Sequence, residues 1–500
     1  MLFKMKKRSL FMAAYFAMGA AVMFTSCSND DDIMNGGIEQ GVEDAQILTL
    51  SIASSGDGLS TRSGRPLYSN EAAQKIDKIA LYFVNADNKV VLKKLVSWTD
   101  ATDYNDNRGH GKELEIALKG KQKLTGGAAE GTSATYTIYA VGYSDNSSYT
   151  FAPKLPVDDS GIFDEAVTEE WNQFQVTTTA AADAEEIFAG STTVEVANDG
   201  SFNLTTNGKK QAITLHRQVA GITGYFSNIP VKVNDKIVTT VRLVSVAKNT
   251  VAQFGHFYSD FTENPDNKLE VAKFIVNGTT PAAEEKGVTY SDNATKAHTV
   301  YSIKLDEWFV VADGKTLADC DLDGDGFLGY KDVQKYIKDN NITVTKPSDY
   351  SGIWKNPHNT EAKFVRGSVF SGKFVIPFEK LENQTVNTLQ LQLLAADGTI
   401  LKYWNINAAT THTTMADASE QWEKLDASKS VYNIYRNHMY NVGMKKDNNP
   451  TDPDKPVDPE KPDPENPDPD TDNPEDLSKG QDLIIQVNDN WELIHDMELD

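Results

Sequence analysis

Cysteine is scarce in this chain, since only Cys27 and Cys320 occur among its 500 residues. Long apolar runs are also lacking: beyond residues 10–24, no segment is apolar enough to suggest a membrane span. Basic residues are far outnumbered by acidic ones, which gives a net charge of −24 and a pI of about 4.8. This balance argues against binding nucleic acid or an anionic membrane surface through electrostatics.

Motifs of enzyme active sites are missing as well. The sequence has no phosphate-binding glycine loop of the right spacing, no zincin His-Glu pair and no Gly-x-Ser-x-Gly elbow. The eight histidines are scattered, and none has another at metal-ligand spacing. Cys320 lies beside an acidic loop that raises a thiol pKa, so we interpret it as a packed, passive thiol. We therefore expect a protein that is not an enzyme.

The N-terminus predicts export. Lys4, Lys6, Lys7 and Arg8 precede the apolar residues 10–24, and residues 24–27 (Phe-Thr-Ser-Cys) resemble a bacterial lipobox. The acidic run at residues 29–32 resembles a surface-display signal of Bacteroidetes lipoproteins. We predict a signal peptide over residues 1–27 and lipidation of Cys27, which would tether the protein to the outer membrane at the cell surface through the lipid alone. It would also leave Cys320 without a disulfide partner. An ordinary signal peptide with an incidental cysteine is the alternative.

The body of the chain reads as all-β. Short segments rich in Val, Ile, Thr and Tyr alternate with Gly, Asn and Asp turns, and long helical periodicity is rare. The clearest segments are residues 76–84, 136–141, 212–226, 238–246, 269–276, 300–305, 373–378, 388–394 and 431–444. We predict two antiparallel β-sandwich domains over residues 63–255 and 256–447, with a boundary near residue 255.

The C-terminus combines a spacer with a strand. Half of the chain's prolines lie between Pro450 and Pro474, so residues 448–478 predict a semi-rigid, polyproline-like linker. Residues 479–500 then show strand alternation, and a single strand on a tether needs a sheet elsewhere, which we expect in another molecule. The alternative is a private hairpin between residues 483–487 and 491–497. The apolar positions that would be donated are Leu483, Ile485, Val487, Trp491, Leu493, Met497 and Leu499.

A second strand with the same alternation lies near the N-terminus. Leu48, Leu50 and Ile52 fall on one face of a predicted strand over residues 47–52, after a polar stalk at residues 28–44. The Gly/Ser-rich loop that follows carries Arg62 and Arg65 and is the kind of segment where proteolysis concentrates. Because both terminal segments alternate in this way, both can occupy one two-sided groove in a sheet.

Residues 321–332 predict a calcium loop. Asp321, Asp323 and Asp325 stand at loop positions 1, 3 and 5, with glycine at position 6. Phe327 would supply a backbone carbonyl, and Asp332 stands at position 12, where aspartate resembles the dockerin variant of this loop. The incoming helix is weak, and the exiting helix would carry Val333, Tyr336 and Ile337. An acidic surface turn without an ion is the alternative.

Several short segments occur in a fixed order along the chain. The lipobox is followed by Leu48-Thr49-Leu50-Ser51, Thr61-Arg62, residues 76–84, Leu215-His216-Arg217-Gln218-Val219-Ala220, and Tyr435-Arg436-Asn437-His438-Met439-Tyr440-Asn441-Val442. Together these segments resemble the type V fimbrillins of Bacteroidetes, and the Asp/Pro spacer followed by a strand with Trp491 looks most like the shaft subunit of the minor (Mfa) fimbria. The calcium-like loop departs from the family pattern.

The resemblance implies two transthyretin-like sandwiches and assembly by strand exchange. An arginine-specific protease would cut between Arg62 and Ser63, since Pro66 makes Arg65 a poorer site, and the propeptide of residues 28–62 would leave with its strand. The C-terminal donor strand of a neighbouring subunit would fill the groove. The expected partners are further copies in a homopolymer, fimbrial anchor and tip proteins, the protease, and host or bacterial surface ligands that support adhesion. The alternative is a monomeric glycan-binding surface lipoprotein whose calcium loop organises the site.

Overall fold

The structure is a computed structural model. It describes residues 45–54, 76–97, 102–103, 111–156, 169–170, 174–178, 183–203, 205–206, 209–210, 212–255, 276–291, 295–357, 364–408, 430–436, 438–443, 474–479 and 483–488. The predicted signal peptide, Cys27, the Arg62–Ser63 cleavage site, residues 269–275 of the strand predicted at 269–276, most of the linker and residues 489–500 lie outside this set. Within it strands dominate, so the all-β prediction is confirmed.

Strands supply most of the regular structure in the first half of the chain. They are β1 (Ala45–Ser54), β2 (Lys78–Val84), β3 (Lys89–Ser97), β4 (Thr102–Asp103), β5 (Gly111–Lys119), β6 (Ser133–Tyr143), β7 (Thr150–Ala152), β8 (Glu169–Glu170), β9 (Gln175–Thr177), β10 (Phe188–Ala197), β11 (Phe202–Asn203), β12 (Thr205–Thr206), β13 (Lys209–Lys210) and β14 (Ala212–Arg217). A short 3-10 helix, Gly120–Gln122, follows β5.

The second half adds fifteen strands and two α-helices to the described structure. The strands are β15 (Ala220–Ser227), β16 (Ile229–Pro230), β17 (Lys232–Val233), β18 (Lys236–Ile237), β19 (Thr240–Ser245), β20 (Asn249–Gln253), β21 (Gly278–Pro281), β22 (His298–Lys304), β23 (Phe327–Leu328), β24 (Val369–Val375), β25 (Leu389–Leu394), β26 (Ile400–Ala408), β27 (Met439–Val442), β28 (Glu475–Asp476) and β29 (Leu483–Asn488). The helices are α1 (Leu305–Trp308) and α2 (Tyr330–Asp339), with 3-10 turns at Leu317–Cys320 and Pro347–Asp349.

The first large sheet folds over its own core. Its strand order is β4-β5-β1-β14-β10-β6-β2-β3-β8, with β11 beside β10. Strands β14 and β10 are joined through only two residue pairs, Phe188 with Arg217 and Ala189 with His216. Side chains from both sides of this junction share one apolar cluster, which includes Leu48, Ile116, Ile213, Leu81, Ile138 and Val194. The two halves of the sheet therefore form a sandwich.

The second large sheet has the order β22-β19-β25-β26-β29-β27-β15-β24, with β28 beside β15. Its core is larger and receives Trp308 from α1 and Val333 from α2 in addition to the strand residues. The loop and helix of residues 317–339 therefore belong to the second sandwich.

A third apolar cluster joins the two halves of the chain. Alternate residues of β2 divide between clusters: Leu81 and Phe83 belong to the first core, whereas Tyr82 belongs to the third. The third cluster also contains residues of the small sheet β21-β20-β9-β7, together with Phe374 and Ile376 from the second half. Burial on both faces explains why β2 reads as an almost continuous apolar run.

The chain passes from the first sheet to the second at Gln218–Val219, earlier than the expected boundary near residue 255. The sequence predicted one strand over residues 212–226, but β14 ends at Arg217 and β15 begins at Ala220. Both pieces have strand composition, so composition alone could not reveal that they serve different sheets. Residue 255 instead follows β20 of the small sheet.

Candidate functional site: two inserted strands and an acidic loop

The first inserted strand is β1. It runs antiparallel to β5 over residues 45–53 and parallel to β14 over residues 51–54, so it is an interior strand of the first sheet. Leu48 is fully buried and lies opposite Ile116, while Ile47 on the other face is 47% exposed. At Ile47 and Leu48 this matches the alternation predicted for residues 47–52.

Gln46 anchors the beginning of β1 to Leu124, which does not belong to either neighbouring strand. Its Nε2 donates to the main-chain oxygen of Leu124 at 3.0 Å, and its Oε1 accepts from the main-chain N–H of Leu124 at 2.8 Å. The side-chain amide therefore pairs with one residue in the way that a neighbouring strand would.

The second inserted strand is β29, which contains Leu483, Ile485 and Val487. It pairs parallel with β26 over residues 483–485 and antiparallel with β27 over residues 486–488. Leu483 is 1% exposed within the second core. The expectation that the segment has no sheet in its own chain is wrong for residues 483–488, because the sequence could not show that β26 and β27 leave a place between them. Trp491, Leu493, Met497 and Leu499 lie outside the described residues, so the private hairpin stays an open alternative.

The two inserted strands have equivalent surroundings. Each lies between one antiparallel and one parallel neighbour in the interior of its sheet. Loss of β1 would separate β5 from β14, and loss of β29 would separate β26 from β27. In each case two rows of main-chain donors and acceptors would lose their partners.

The acidic loop brings three of its five predicted ligands together. Carboxylate oxygens of Asp321, Asp323 and Asp325 lie within 4.8 Å of one another. Gly324 and Gly326 adopt φ values of +77° and +87°, which side chains with a Cβ rarely adopt, and their N–H groups donate to Asp321. Lys331 Nζ lies 3.0 Å from Asp325 Oδ2.

Asp332 stabilises the conformation of this loop by accepting hydrogen bonds from main-chain N–H groups. Its Oδ1 accepts from the N–H of Leu322 at 2.7 Å, and its Oδ2 accepts from the N–H of Gly329 at 2.9 Å. Burial raises the pKa of Asp332 to about 6, even though these hydrogen bonds lower it.

Phe327 lies in β23 opposite Pro230, so the loop is paired with the second sandwich. The exiting helix is confirmed as α2, whereas the incoming turn is 3-10 rather than α-helical.

Two of the sequence motifs meet where the sandwiches join. Arg436 Nη1 donates to Gln218 Oε1 at 2.9 Å, and Asn277 Nδ2 donates to the main-chain oxygen of Gln218 at 3.0 Å. All three residues are buried, and burial lowers the pKa of Arg436 to about 10, so it stays protonated at neutral pH. Both motifs stand out in the sequence, but nothing in it indicates that Gln218 and Arg436, 218 positions apart, form a pair.

Cys320 is 3% exposed, and its Sγ lies 3.6 Å from the main-chain oxygen of Val310. Burial, with smaller contributions from Asp332 and Asp319, raises the pKa of its thiol to about 11.

Among the residues that the structure describes, no helix combines the length and the apolar character needed to cross a bilayer.

Comparison with known proteins gives structural similarities only. No family model and no curated protein matches the chain. Similar solved structures include a fimbrial assembly protein from Parabacteroides distasonis (TM-score 0.30, 10% identity, 80% of this chain and 92% of that one). They also include the tip fimbrial protein Mfa3 (0.28, 11%, 80% and 94%) and the fimbrial anchor protein Mfa2 (0.29, 10%, 80% and 90%), both from Porphyromonas gingivalis. At these TM-scores the similarity carries no argument about function.

Proposed function

We propose that this chain is a fimbrial shaft subunit that polymerises at the outer-membrane surface by exchange of β-strands and supports adhesion. The observation that carries the proposal is the position of β1. It is an interior strand of the first sheet, yet it precedes the predicted cleavage site, and only residues 55–75 link it to the next described residues. After cleavage between Arg62 and Ser63, β1 would be held by noncovalent contacts alone.

Departure of β1 would leave an open groove. The side chains that share the core with Leu48 include Ile116, Leu118, Ile213 and Leu215. Exposure of a large apolar side chain costs about 1.5–3 kcal/mol, and the unpaired edges of β5 and β14 would add to this. The processed subunit would therefore be an incomplete fold with a strong preference for another alternating strand.

The C-terminal segment of a neighbouring copy is the occupant that we propose. In the unprocessed chain its first part forms β29, paired over only three residues with each neighbour, whereas the place of β1 offers pairing over residues 45–53 and 51–54. Transfer of the C-terminal segment to the place of β1 would thus replace a short ladder of main-chain hydrogen bonds with a longer one. The linker would allow the C-terminal segment to reach a neighbouring subunit, because a polyproline-like chain extends about 3.1 Å per residue.

Limited proteolysis tests this function. Lipid-free precursor that begins at residue 28 is treated with an arginine-specific protease and examined by gel for SDS-resistant ladders. We expect ladders from the wild type and none from Arg62→Ala or Trp491→Asp, while Arg65→Ala behaves like the wild type because Pro66 already hinders that cut. Persistent monomers after complete cleavage at Arg62 would contradict strand exchange.

Attachment to the cell surface is proposed through lipid on Cys27, with an anchor protein, a tip protein and surface ligands as further partners. Expression of Cys27→Ser in the native host tests the first of these. The variant should lose the lipid label and fail to reach the outer membrane, and retained labelling would contradict the assignment of Cys27.

The second candidate is a monomeric, glycan-binding surface lipoprotein, favoured by the clustered carboxylates of the acidic loop. We propose that Asp321, Asp323, Asp325, the Phe327 carbonyl and Asp332 bind calcium, which would order the loop against the second sandwich. Trp491→Asp separates the two functions, because it should abolish ladders in a fimbrial subunit and leave glycan binding unchanged in a monomeric lectin.

A further inference from the structure

A short pattern is repeated at the two inserted strands. Gln46, Leu48, Leu50 and Ile52 recur at the same spacing as Gln481, Leu483, Ile485 and Val487. The match includes burial where both side chains are described: Leu48 is 0% and Leu483 1% exposed, each within the core of its own sandwich. The residue after the glutamine is Ile47 in β1, where it is 47% exposed, and Asp482 in the C-terminal segment, so the two sequences alternate in the same phase.

The glutamine of β1, Gln46, has a defined partner. The amide of Gln46 makes both of its hydrogen bonds to the main chain of Leu124, which lies between the 3-10 helix and β6 and is 5% exposed. Gly200 leaves room for this amide, since a Cβ added there would lie 2.9 Å from Gln46 Nε2. When β1 departs, Leu124 loses an acceptor and a donor together, and buried main-chain groups without partners are costly.

Apolar alternation alone does not define how an incoming strand is aligned. A shift by one residue turns the apolar side chains to the wrong face, but a shift by two restores the pattern. Leu483, Ile485 and Val487 therefore fit several alignments about equally well. An amide that must meet the N–H and the carbonyl of one particular residue fits in one alignment only.

We propose that Gln481 of a second copy replaces Gln46 and fixes the register of the donated strand through the main chain of Leu124. In this register Leu483 lies opposite Ile116 and Val487 opposite Ile213, the places of Leu48 and Ile52. The inference rests on the proposed strand exchange and specifies its alignment.

Cross-linking between copies tests the register. One protein carries Ala117→Cys and a second carries Asp482→Cys, both lacking residues 1–27, and Ala117 is the register partner of Ile47. After cleavage and mixing, a short bis-maleimide should join residues 117 and 482 far more efficiently than residue 117 and Ile484→Cys or Gly480→Cys. Preferential joining to residue 480 or 484 would overturn the register while leaving strand exchange intact.

Substitution of the glutamine tests its contribution. We expect Gln481→Ala polymers to dissociate about tenfold faster in dilute SDS, since two hydrogen bonds are lost. Gln481→Glu should dissociate at least as fast, because its carboxylate cannot donate to the Leu124 carbonyl. Gln486→Ala makes the same change in the same strand, at the position equivalent to Ser51, and should match the wild type. The uncleaved Gln481→Ala precursor should melt like the wild type, which excludes a folding defect.

The outcomes separate the two proposals. If the wild type forms no ladder after cleavage at Arg62, strand exchange itself fails. If the wild type forms ladders that Trp491→Asp abolishes, but Gln481→Ala dissociates at the wild-type rate, strand exchange stands and the role of Gln481 is overturned.

Discussion

At the scale of single residues, the thiol of Cys320 gives a prediction about reactivity. Burial raises its pKa to about 11, so at pH 8 only about a thousandth of it is thiolate, the reactive form. In protein that begins at residue 28 and so lacks Cys27, we expect negligible labelling by a maleimide in the native state at pH 8 and complete labelling in denaturant, measured by intact mass. Rapid native labelling would mean that Cys320 is accessible, against its 3% exposure.

The acidic loop gives a second residue-scale prediction. Calcium should raise the melting temperature of the wild type, because an ion that binds only the folded state stabilises it. The gain should vanish in Asp321→Asn and Asp323→Asn, which keep the size of the side chain but remove one charged ligand each. Asp306→Asn, at an exposed position of α1, is the matched control and should keep the full shift.

A calcium titration that gives no heat and no thermal shift for the wild type would contradict the metal proposal. The acidic turn would then be held by its own hydrogen bonds and by the contact of Lys331 with Asp325.

At the scale of elements, β1 should matter before cleavage and not after it. Leu48→Ala removes a fully buried side chain, and such changes typically cost about 2–5 kcal/mol. We expect urea unfolding of the precursor to show this loss, and we expect assembled polymer to be as resistant to SDS as the wild type, because the strand has left. Ile47→Ala, one residue away on the exposed face, should change neither. Weaker Leu48→Ala polymer would indicate that β1 remains in the assembled subunit.

Elements were predictable where the signal is local. Alternation located β1, β6 and β25 to within a few residues, and the spacing of aspartates and glycines located the loop before α2. The pairing of elements was not predictable, because β14 and β15 share one composition but belong to different sheets. The place of β29 depends on a gap between β26 and β27, and no residue in the C-terminal segment encodes that gap.

At the scale of the whole molecule, the two sandwiches are joined by side-chain contacts as well as by the main-chain connection. The third apolar cluster contains Tyr82 and Phe174 from the first half together with Phe374 and Ile376 from the second. Beside it, Gln218 follows directly after β14, the neighbour of β1, and binds Arg436, which precedes β27, the neighbour of β29. These contacts connect the place of β1 in the first sheet with the place of β29 in the second.

Assembly of the whole molecule should therefore depend on whether β1 can leave. Thr49 and Glu115 are register partners in β1 and β5, so Thr49→Cys with Glu115→Cys should lock β1 in place when oxidised. In protein that begins at residue 28, the remaining thiol, Cys320, is buried and should not interfere. After cleavage at Arg62 we expect the oxidised double variant to stay monomeric and to form ladders once a reductant is added. Each single cysteine variant should assemble with or without reductant. Ladders from the fully oxidised double variant would show that a copy can receive a strand while β1 is still present, and the groove would then have to lie elsewhere.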